Sequence, residues 1–303
     1  MPVVQIDRVT KTFGSHVAVD DLSLSVPEGS IYGFIGPNGS GKTTTLRMIM
    51  RIFHPDRGEI EVLGDRSLGA ASERVGYLPE ERGLYKQMKV RDVLKFYAQL
   101  KGMRDPRAEI DRWLAMMGLS DWADKKISAL SKGMAQKIQF ISTVITKPAL
   151  VLLDEPFSGL DPLNAVVLRE AVLDLKRAGT TVIFSTHDMS VAEKMCDAIF
   201  MIFKGKKVLD GTLEQIQDAY GDDTVRVRMA GEDVDLEDLP GVSRVTAFGR
   251  YHELRLARGA DSQDVLASLM ERGEVRHFEL SRPSLGDIFV RIAGPEALEA
   301  THA

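Results

Sequence analysis

The sequence predicts an α/β core that carries a helical insertion and is followed by a small α+β domain. Three observations favour this fold class. Short apolar runs alternate with helical patterns over the first 220 residues, which is typical of a sheet covered by helices. A glycine-rich turn at residues 36–43 separates one apolar run from a helix. No lysine follows Lys207, which indicates a change of domain in the last third of the chain.

The core is predicted from the spacing of its apolar residues. Its strands are expected at residues 3–9, 17–26, 31–35, 58–62, 74–78, 150–153 and 181–185. Helices are expected at residues 44–53 and 163–178, where apolar side chains recur at helical spacing. A helical pattern extends from Val90 to about Lys147, and the predicted helical insertion covers about residues 86–147. The first domain is expected to span residues 1–220.

The second predicted domain covers residues 221–303. Its strands are expected at residues 224–229, 242–248, 252–257 and 275–280. A helix is expected over residues 262–271, because Asp261 can cap its start and Gly273 can end it. Strands around a single helix predict a small α+β fold.

Composition excludes several classes of protein. The 303 residues are 44% hydrophobic and carry a net charge of −5, so no nucleic-acid partner is expected. The lone Cys196 rules out an internal disulfide, and its apolar neighbours indicate burial rather than catalysis. The longest apolar runs fall far short of the ~18 residues of a membrane-spanning helix. The first residues lack the pattern of a signal peptide, so none is expected.

Residues 36–43 match the phosphate-binding pattern G-x-x-x-x-G-K-[ST], known as the P-loop. They lie between a predicted strand and a helix, where backbone N–H groups and the helix end hold an anion. Lys42 is expected to reach the β- and γ-phosphates, and the Thr43 hydroxyl to ligate Mg²⁺. We therefore predict a nucleoside-triphosphate site. Its predicted phosphate-binding residues are Gly36, Pro37, Asn38, Gly39, Ser40, Gly41, Lys42, Thr43 and Thr44.

Two carboxylates, Asp154 and Glu155, come directly after the apolar run 150–153. A carboxylate at the end of a strand near the P-loop is where a Walker B aspartate holds Mg²⁺ through water. Glu155 could polarise an attacking water molecule. The alternative is a solvated turn, which the presence of the P-loop makes the poorer interpretation.

Further segments resemble the motifs of ABC ATPases. Residues 130–136, Leu-Ser-Lys-Gly-Met-Ala-Gln, resemble the signature that is usually written LSGGQ. Residues 158–161, Ser-Gly-Leu-Asp, resemble the D-loop, and residues 185–187, Ser-Thr-His, resemble the segment with the switch histidine. Phe13 occupies the aromatic position that stacks on adenine in this family. Together with the P-loop and Walker B, six motifs lie in family order over about residues 3–215.

This resemblance implies the P-loop NTPase core of ABC type and Mg²⁺-dependent hydrolysis of ATP. Ser131 and the Gly133 backbone would form a second anion site, and Asp161 would contact nucleotide. Glu155 and His187 would be the catalytic residues, although a hydrogen-bonded core histidine is the alternative for the latter. The family forms head-to-tail dimers, of equal or different chains, in which each ATP lies between one P-loop and the partner's signature.

Three positions depart from the common family pattern. Lys132 replaces a glycine of the signature, Met134 replaces its glutamine, and Glu80 stands at the glutamine position of the Q-loop. Glu80 keeps an oxygen ligand for Mg²⁺ but adds negative charge, and it completes the implied metal site with Thr43 and Asp154.

These variants and residues 282–289 resemble the sodium-efflux-type branch of bacterial export ATPases and the end of its C-terminal domain. The implied function is the ATP-hydrolysing subunit of an exporter with a separate transmembrane permease. Such a subunit is cytoplasmic and peripheral on the inner face of the cell membrane. One alternative is a soluble ABC ATPase of translation or DNA repair, against which a single P-loop and the lack of sustained heptads argue. The other is a regulatory module that binds ATP without turnover, against which Glu155 argues.

Overall fold

A computed structural model describes residues 2–67, 69, 72–81, 83–220, 224–231, 236, 238–248 and 251–294. The chain forms two compact units, residues 1–212 and residues 213–299. The boundary predicted from the sequence falls at residues 221–223, which lie outside the described residues, as do residues 295–303 of the predicted second domain.

The first unit alternates strands and helices. Its strands are β1 (Pro2–Phe13), β2 (His16–Pro27), β3 (Ile31–Ile35), β4 (Arg57–Val62), β5 (Val75–Leu78), β6 (Leu150–Asp154), β7 (Thr181–Thr186), β8 (Ala198–Phe203) and β9 (Lys206–Gly211). Its helices are α1 (Lys42–Ile49), α2 (Val90–Leu100), α3 (Arg107–Met116), α4 (Lys132–Val144), α5 (Pro162–Arg177) and α6 (Met189–Met195). Of these, α2, α3 and α4 occupy the segment that the sequence predicts as a helical insertion.

A six-stranded sheet in the order β5-β6-β7-β3-β8-β9 runs through the first unit. Its first five strands are parallel, and β9 pairs antiparallel with β8. Strands β3, β6 and β7 are buried on both faces, which explains why they read as unbroken apolar runs. Their carboxyl ends lie at one edge, since Asp154 pairs with Ser185 and Ile35 pairs with Thr186.

Two hydrophobic cores cover the faces of this sheet. Alternate residues of β7 show the division: Val182 and Phe184 face a core shared with α2, α3, α4 and α5. Ile183 faces the other core, which is shared with α1 and with the antiparallel sheet β2-β1-β4. The sheet is therefore packed on both faces, and its carboxyl edge lies between the two layers.

The second unit is an α+β fold. Its elements are α7 (Leu213–Tyr220), β10 (Thr224–Met229), β11 (Val242–Phe248), β12 (Tyr251–Leu256), α8 (Ser262–Arg272), β13 (Val275–Ser281) and α9 (Leu285–Ala293). The strands form an antiparallel sheet in the order β11-β12-β10-β13. Asp261 caps α8 by accepting a hydrogen bond of 2.8 Å from the Gln263 N–H. Val265 and Leu269 on the same helix are buried against the sheet in a small separate core.

The predicted fold class, an α/β core with a helical insertion and a small α+β domain, is confirmed. None of the helices in the described part of the chain combines the length and the apolar character that a bilayer crossing requires.

Candidate nucleotide-binding and catalytic site

The predicted P-loop joins the end of β3 to the start of α1, at the carboxyl edge of the sheet. Two of its glycines pass close to neighbouring backbone. A Cβ atom on Gly36 would lie 2.2 Å from the carbonyl oxygen of Ile202, and one on Gly41 would lie 2.6 Å from that of Ala18. Gly41 also has φ of 113°, a conformation that residues with a side chain rarely adopt. Glycine is therefore required at both positions.

Lys42 begins α1, and its ammonium group is buried below the loop. The group donates hydrogen bonds of 2.7 and 3.1 Å to two loop carbonyls, those of Gly36 and Pro37. It also lies 3.6 Å from the Glu155 carboxylate. Burial lowers the pKa of Lys42, and the nearby carboxylates, Glu155 first among them, act in the opposite direction. A buried cation with oxygen neighbours is suited to an anion such as triphosphate.

Asp154 ends β6, and two hydroxyl groups converge on it. The Thr43 hydroxyl donates a hydrogen bond of 3.0 Å to Asp154 Oδ1, and the Ser185 hydroxyl donates one of 2.5 Å. Asp154 is only 1% exposed, and its Oδ2 has no hydrogen-bond partner among the described residues. Buried carboxylate oxygens normally have a partner. An unpartnered carboxylate oxygen beside a threonine hydroxyl suits a hard cation such as Mg²⁺, which prefers oxygen ligands.

Glu155 follows Asp154 in an unusual backbone conformation, with φ of 48°. Such a conformation costs a residue with a side chain ~1–3 kcal/mol, and strained residues of this kind cluster at functional sites. The Glu155 N–H donates to the Ser185 hydroxyl at 3.0 Å, and His187 Nδ1 lies 3.1 Å from Glu155 Oε1. Glu155 is 8% exposed, whereas the His187 side chain is 51% exposed. His187 is thus not a core histidine, and it lies between solvent and a buried carboxylate.

Ser185 is a site residue to which sequence reasoning assigns no role. Its hydroxyl links the two carboxylate residues, because it donates to Asp154 Oδ1 and accepts from the Glu155 N–H. The signal in the sequence is a serine at the end of a strand that is otherwise apolar. A fully buried hydroxyl needs a hydrogen-bond partner, and neighbouring carboxylates provide one.

The signature and D-loop residues lie together at the starts of α4 and α5. Ser131 caps α4 by accepting a hydrogen bond of 3.2 Å from the Met134 N–H. Asp161 caps α5 by accepting one of 3.0 Å from the Asn164 N–H, and hydrogen bonds from Asn164 lower the pKa of this carboxyl. A Cβ atom on Gly133 would lie 3.2 Å from the Asn164 side chain. The two helix starts are therefore packed against each other.

Phe13 and Glu80 are both solvent-exposed. Phe13 ends β1 with 42% of its surface exposed, and its ring meets that of Phe53 edge-on at 5.3 Å. Lys11 Nζ lies 5.4 Å from the centre of the Phe13 ring, close enough for a cation–π interaction with the ring. Glu80 follows β5, near enough to Lys42 for its negative charge to act on the lysine's pKa. An exposed ring can stack on a base, and an exposed carboxylate can approach a metal ion.

A strand, a glycine-rich loop, a buried lysine at a helix start and a carboxylate at the end of a nearby strand define a P-loop nucleotide-binding domain. Comparison with known proteins supports this class and identifies the family. Residues 19–158 match the family described as ABC transporter, and residues 211–293 match the ATP-binding protein DrrA1-3-like, C-terminal domain. Residues 125–193 also match an AAA domain described as a putative AbiEii toxin of a type IV toxin–antitoxin system.

Relatives resemble the chain over nearly its whole length. The uncharacterized ABC transporter ATP-binding protein YhaQ of Bacillus subtilis is 43% identical over 96% of this chain and 99% of its own. The Nod factor export ATP-binding protein I of Paraburkholderia xenovorans is 33% identical over 97% of each chain. The daunorubicin resistance ATP-binding protein DrrA3 of Streptomyces coeruleorubidus is 32% identical over 97% of this chain and 96% of its own.

A solved structure, described as the ATP binding subunit of an ABC transporter, superposes with a TM-score of 0.67 at 29% identity. It covers 72% of this chain and 93% of its own. The chain belongs to the family of ABC transporter ATP-binding proteins. It is therefore an ATP-binding protein and an ATPase, as the sequence motifs predict.

Proposed function

We propose that this chain is the ATP-hydrolysing subunit of a membrane exporter, and that it drives a permease formed by a separate chain. The observation that carries this proposal is the likeness to proteins named for export and drug resistance along nearly their whole length. That likeness includes the second unit, which matches the DrrA1-3-like C-terminal domain. In the cell the chain would be cytoplasmic and attached to the inner face of the membrane through the permease.

We further propose a head-to-tail dimer, of two equal or two different ATPase chains, around two ATP molecules. The P-loop lies against β7 and β8, since the Gly36 N–H donates to the Thr186 carbonyl at 3.3 Å and Gly36 also approaches Ile202. Gly133 of the signature instead lies beside Asn164 of α5. Helix α1 begins at the P-loop and helix α4 begins at the signature, and the N-terminus of a helix attracts phosphate. A partner chain that presents its own signature would bring the two anion sites to one triphosphate.

Within each site we propose that Thr43, Asp154 and Glu80 hold Mg²⁺, directly or through water. The unpartnered Oδ2 of Asp154 supports this assignment. When bound, the ion supplies charge neutralisation at the phosphates. Glu155 accepts a proton from the attacking water, and His187, whose Nδ1 lies 3.1 Å from Glu155 Oε1, orients that carboxylate and faces the γ-phosphate. The remaining phosphate-binding residues keep the roles predicted from the sequence.

Purification from detergent extract tests the exporter proposal. A tagged full-length chain, expressed in its source organism, is expected to co-purify with a polytopic membrane protein, and mass spectrometry identifies it. The Lys42→Ala variant, which is expected to bind ATP more weakly, is purified in parallel as the control. It shows which of the co-purifying proteins depend on bound nucleotide. Recovery of ribosomal or DNA-repair proteins without any membrane protein would instead support a soluble ABC ATPase.

Tyr85 lies on the surface where we expect the permease to bind. Its side chain is 53% exposed, and its ring meets Phe96 of α2 edge-on at 5.7 Å. Phe96 is itself 40% exposed, so the two rings form an aromatic surface beside the Q-loop. Aromatic side chains of this kind commonly supply the largest share of interface energy. We therefore expect a permease segment to dock here, between the core and the insertion.

Tyr85→Ala is expected to reduce transport by about tenfold or more while basal ATPase activity stays within about twofold of wild type. The reason is that a half-exposed ring adds little to the core, and truncation removes its contact with a partner. Transport is measured with the permease in vesicles, and thermal unfolding is measured on the isolated chain. Ile52→Ala, at a residue that is 52% exposed in the same unit, is the matched control. A large loss of stability with no separate transport defect would assign Tyr85 to a local core.

Glu80→Gln tests the proposed metal site. The substitution keeps the shape of the side chain and removes its negative charge, so Mg²⁺ loses an anionic oxygen neighbour. We expect the Mg²⁺ concentration for half-maximal turnover to rise by about tenfold, and ATP binding without Mg²⁺ to be at least as tight as in wild type.

Titration of Mg²⁺ against the ATPase rate of the isolated chain measures this effect. Glu81→Gln is the control, because Glu81 is also exposed and is the next residue along the chain. An unchanged Mg²⁺ midpoint in Glu80→Gln would mean that Glu80 is not a metal-site group, and would move its role to the permease interface.

A further inference from the structure

A cavity of about 290 Å³ lies in the first unit, away from the nucleotide site. It is bordered by α3, by the ends of α4 and α5, and by the turns that lead into β6 and β7. Those turns are at the amino ends of the parallel strands, whereas Asp154 and the P-loop are at the carboxyl ends. The cavity is thus at the opposite edge of the sheet, and its volume is close to the lower limit of small-molecule sites, ~300 Å³.

Trp113 of α3 lines this cavity and carries an unused hydrogen-bond donor. The residue is 3% exposed, and its indole Nε1 is buried with no hydrogen-bond partner in the described part of the chain. A buried indole N–H normally has a partner, and leaving such a donor unpaired costs ~1–3 kcal/mol. The ring is held in place by an edge-to-face contact with Phe140 at 5.9 Å. The Arg112 guanidinium lies 4.8 Å from the centre of the same ring. Trp113 is therefore a fixed, buried part of the cavity wall beside a cation, and its emission reports on what the cavity holds.

The cavity also has an excess of positive charge at its border. Arg112 and Lys147, which both line it, share one carboxylate, that of Glu109, at 2.9 and 2.6 Å. Asp174 is the acidic residue in the lining, and it is paired with Arg177 at 2.6 Å. Three cations thus meet two carboxylates. Arg112 and Lys147 thus share a single carboxylate, and the border keeps one positive charge in excess.

We propose that this cavity binds a small organic anion that combines a flat apolar body with a carboxylate or sulfonate group. The apolar body would lie against Met116 and Ala178, which are exposed in the lining, and the anionic group would face Arg112 and Lys147. The walls come from the helical insertion on one side and from α5 of the core on the other. A bound anion therefore bridges the insertion and the core at a distance from ATP, which makes it a candidate regulator. The proposal is independent of the transport function.

The probe for this site is naphthalene-2-sulfonate, with the neutral naphthalene-2-sulfonamide as a matched compound. The chain has two tryptophans, so Trp122→Phe leaves Trp113 as its single fluorescent indole. We expect the sulfonate to quench Trp113 emission saturably and to bind about tenfold more tightly than the sulfonamide, because a charge-assisted hydrogen bond has roughly that effect. Absence of saturable quenching, or equal binding of the two compounds, would overturn the proposal.

Two substitutions locate the bound probe, and titration calorimetry on the full chain measures their effect. Ala178 lines the cavity and is exposed, so Ala178→Phe blocks the opening, and we expect at least about tenfold weaker binding. Arg112→Gln should abolish the preference for the sulfonate, whereas Arg107→Gln, an exposed arginine on the same helix, should leave it unchanged. Wild-type binding in both cavity variants, or displacement of the probe by ATP, would place the probe elsewhere and reject the site.

Discussion

Glu155→Gln is expected to slow ATP turnover by about 10²–10⁴-fold, the usual contribution of a positioned general base. Glutamine keeps the shape of the side chain but cannot accept a proton from water. The structure adds a reason to expect the full effect. The Glu155 carboxylate is buried, and it lies 3.1 Å from His187 and 3.6 Å from Lys42. The Glu155 backbone has φ of 48°, which is rare for a residue with a side chain. The Glu155 Oε1 atom has no hydrogen-bond partner among the described residues, so it can accept a proton from a water molecule.

The variant should still bind ATP, because Lys42, the P-loop and Asp154 are unchanged. It should accumulate as an ATP-bound dimer, which size-exclusion chromatography with Mg²⁺ and ATP measures beside the steady-state rate. Glu170→Gln, at an exposed carboxylate on α5, is the control for the loss of one charge. Turnover within about a factor of two of wild type would remove Glu155 from its proposed role.

The parts of the site that the sequence predicts are those set by backbone direction. Strands β3, β6 and β7 are buried on both faces, so each appears in the sequence as an apolar run with a polar motif at its end. Parallel pairing then places these ends at one edge of the sheet. This is why the amino-acid sequence is sufficient to predict that the P-loop, Asp154 and His187 lie at one edge of the sheet.

Side-chain contacts and exposed elements are less accessible to sequence reasoning. The link through Ser185 depends on the register between β6 and β7, which the sequence does not specify. Strand β8 is not predicted, because a short apolar run is equally compatible with a strand and a buried helix. Strand β9 is largely exposed, and helix α7 has a single buried residue, Ile216, so neither shows a strong pattern.

Lys42→Ala is expected to weaken ATP binding itself, by about 10–100-fold. Charge-assisted hydrogen bonds contribute ~1.5–3 kcal/mol, and each ~1.4 kcal/mol changes affinity tenfold. The Lys42 ammonium is buried at the base of the loop and already has oxygen neighbours, the Gly36 carbonyl at 2.7 Å and the Glu155 carboxylate. A phosphate oxygen would bind to a cation that has largely lost its water, so the interaction is stronger than at an exposed lysine.

Equilibrium binding of ATP, measured without Mg²⁺ to exclude turnover, separates this variant from Glu155→Gln. Loss of Lys42 removes a contact with the phosphates, whereas loss of the Glu155 charge removes a neighbouring negative group. The two variants should therefore change affinity in opposite directions. Lys206→Ala, whose ammonium lies 3.4 Å from Asp20 with 69% of the side chain exposed, is the control for the loss of a surface lysine. An affinity in Lys42→Ala within about twofold of wild type would mean that the P-loop backbone alone holds the triphosphate.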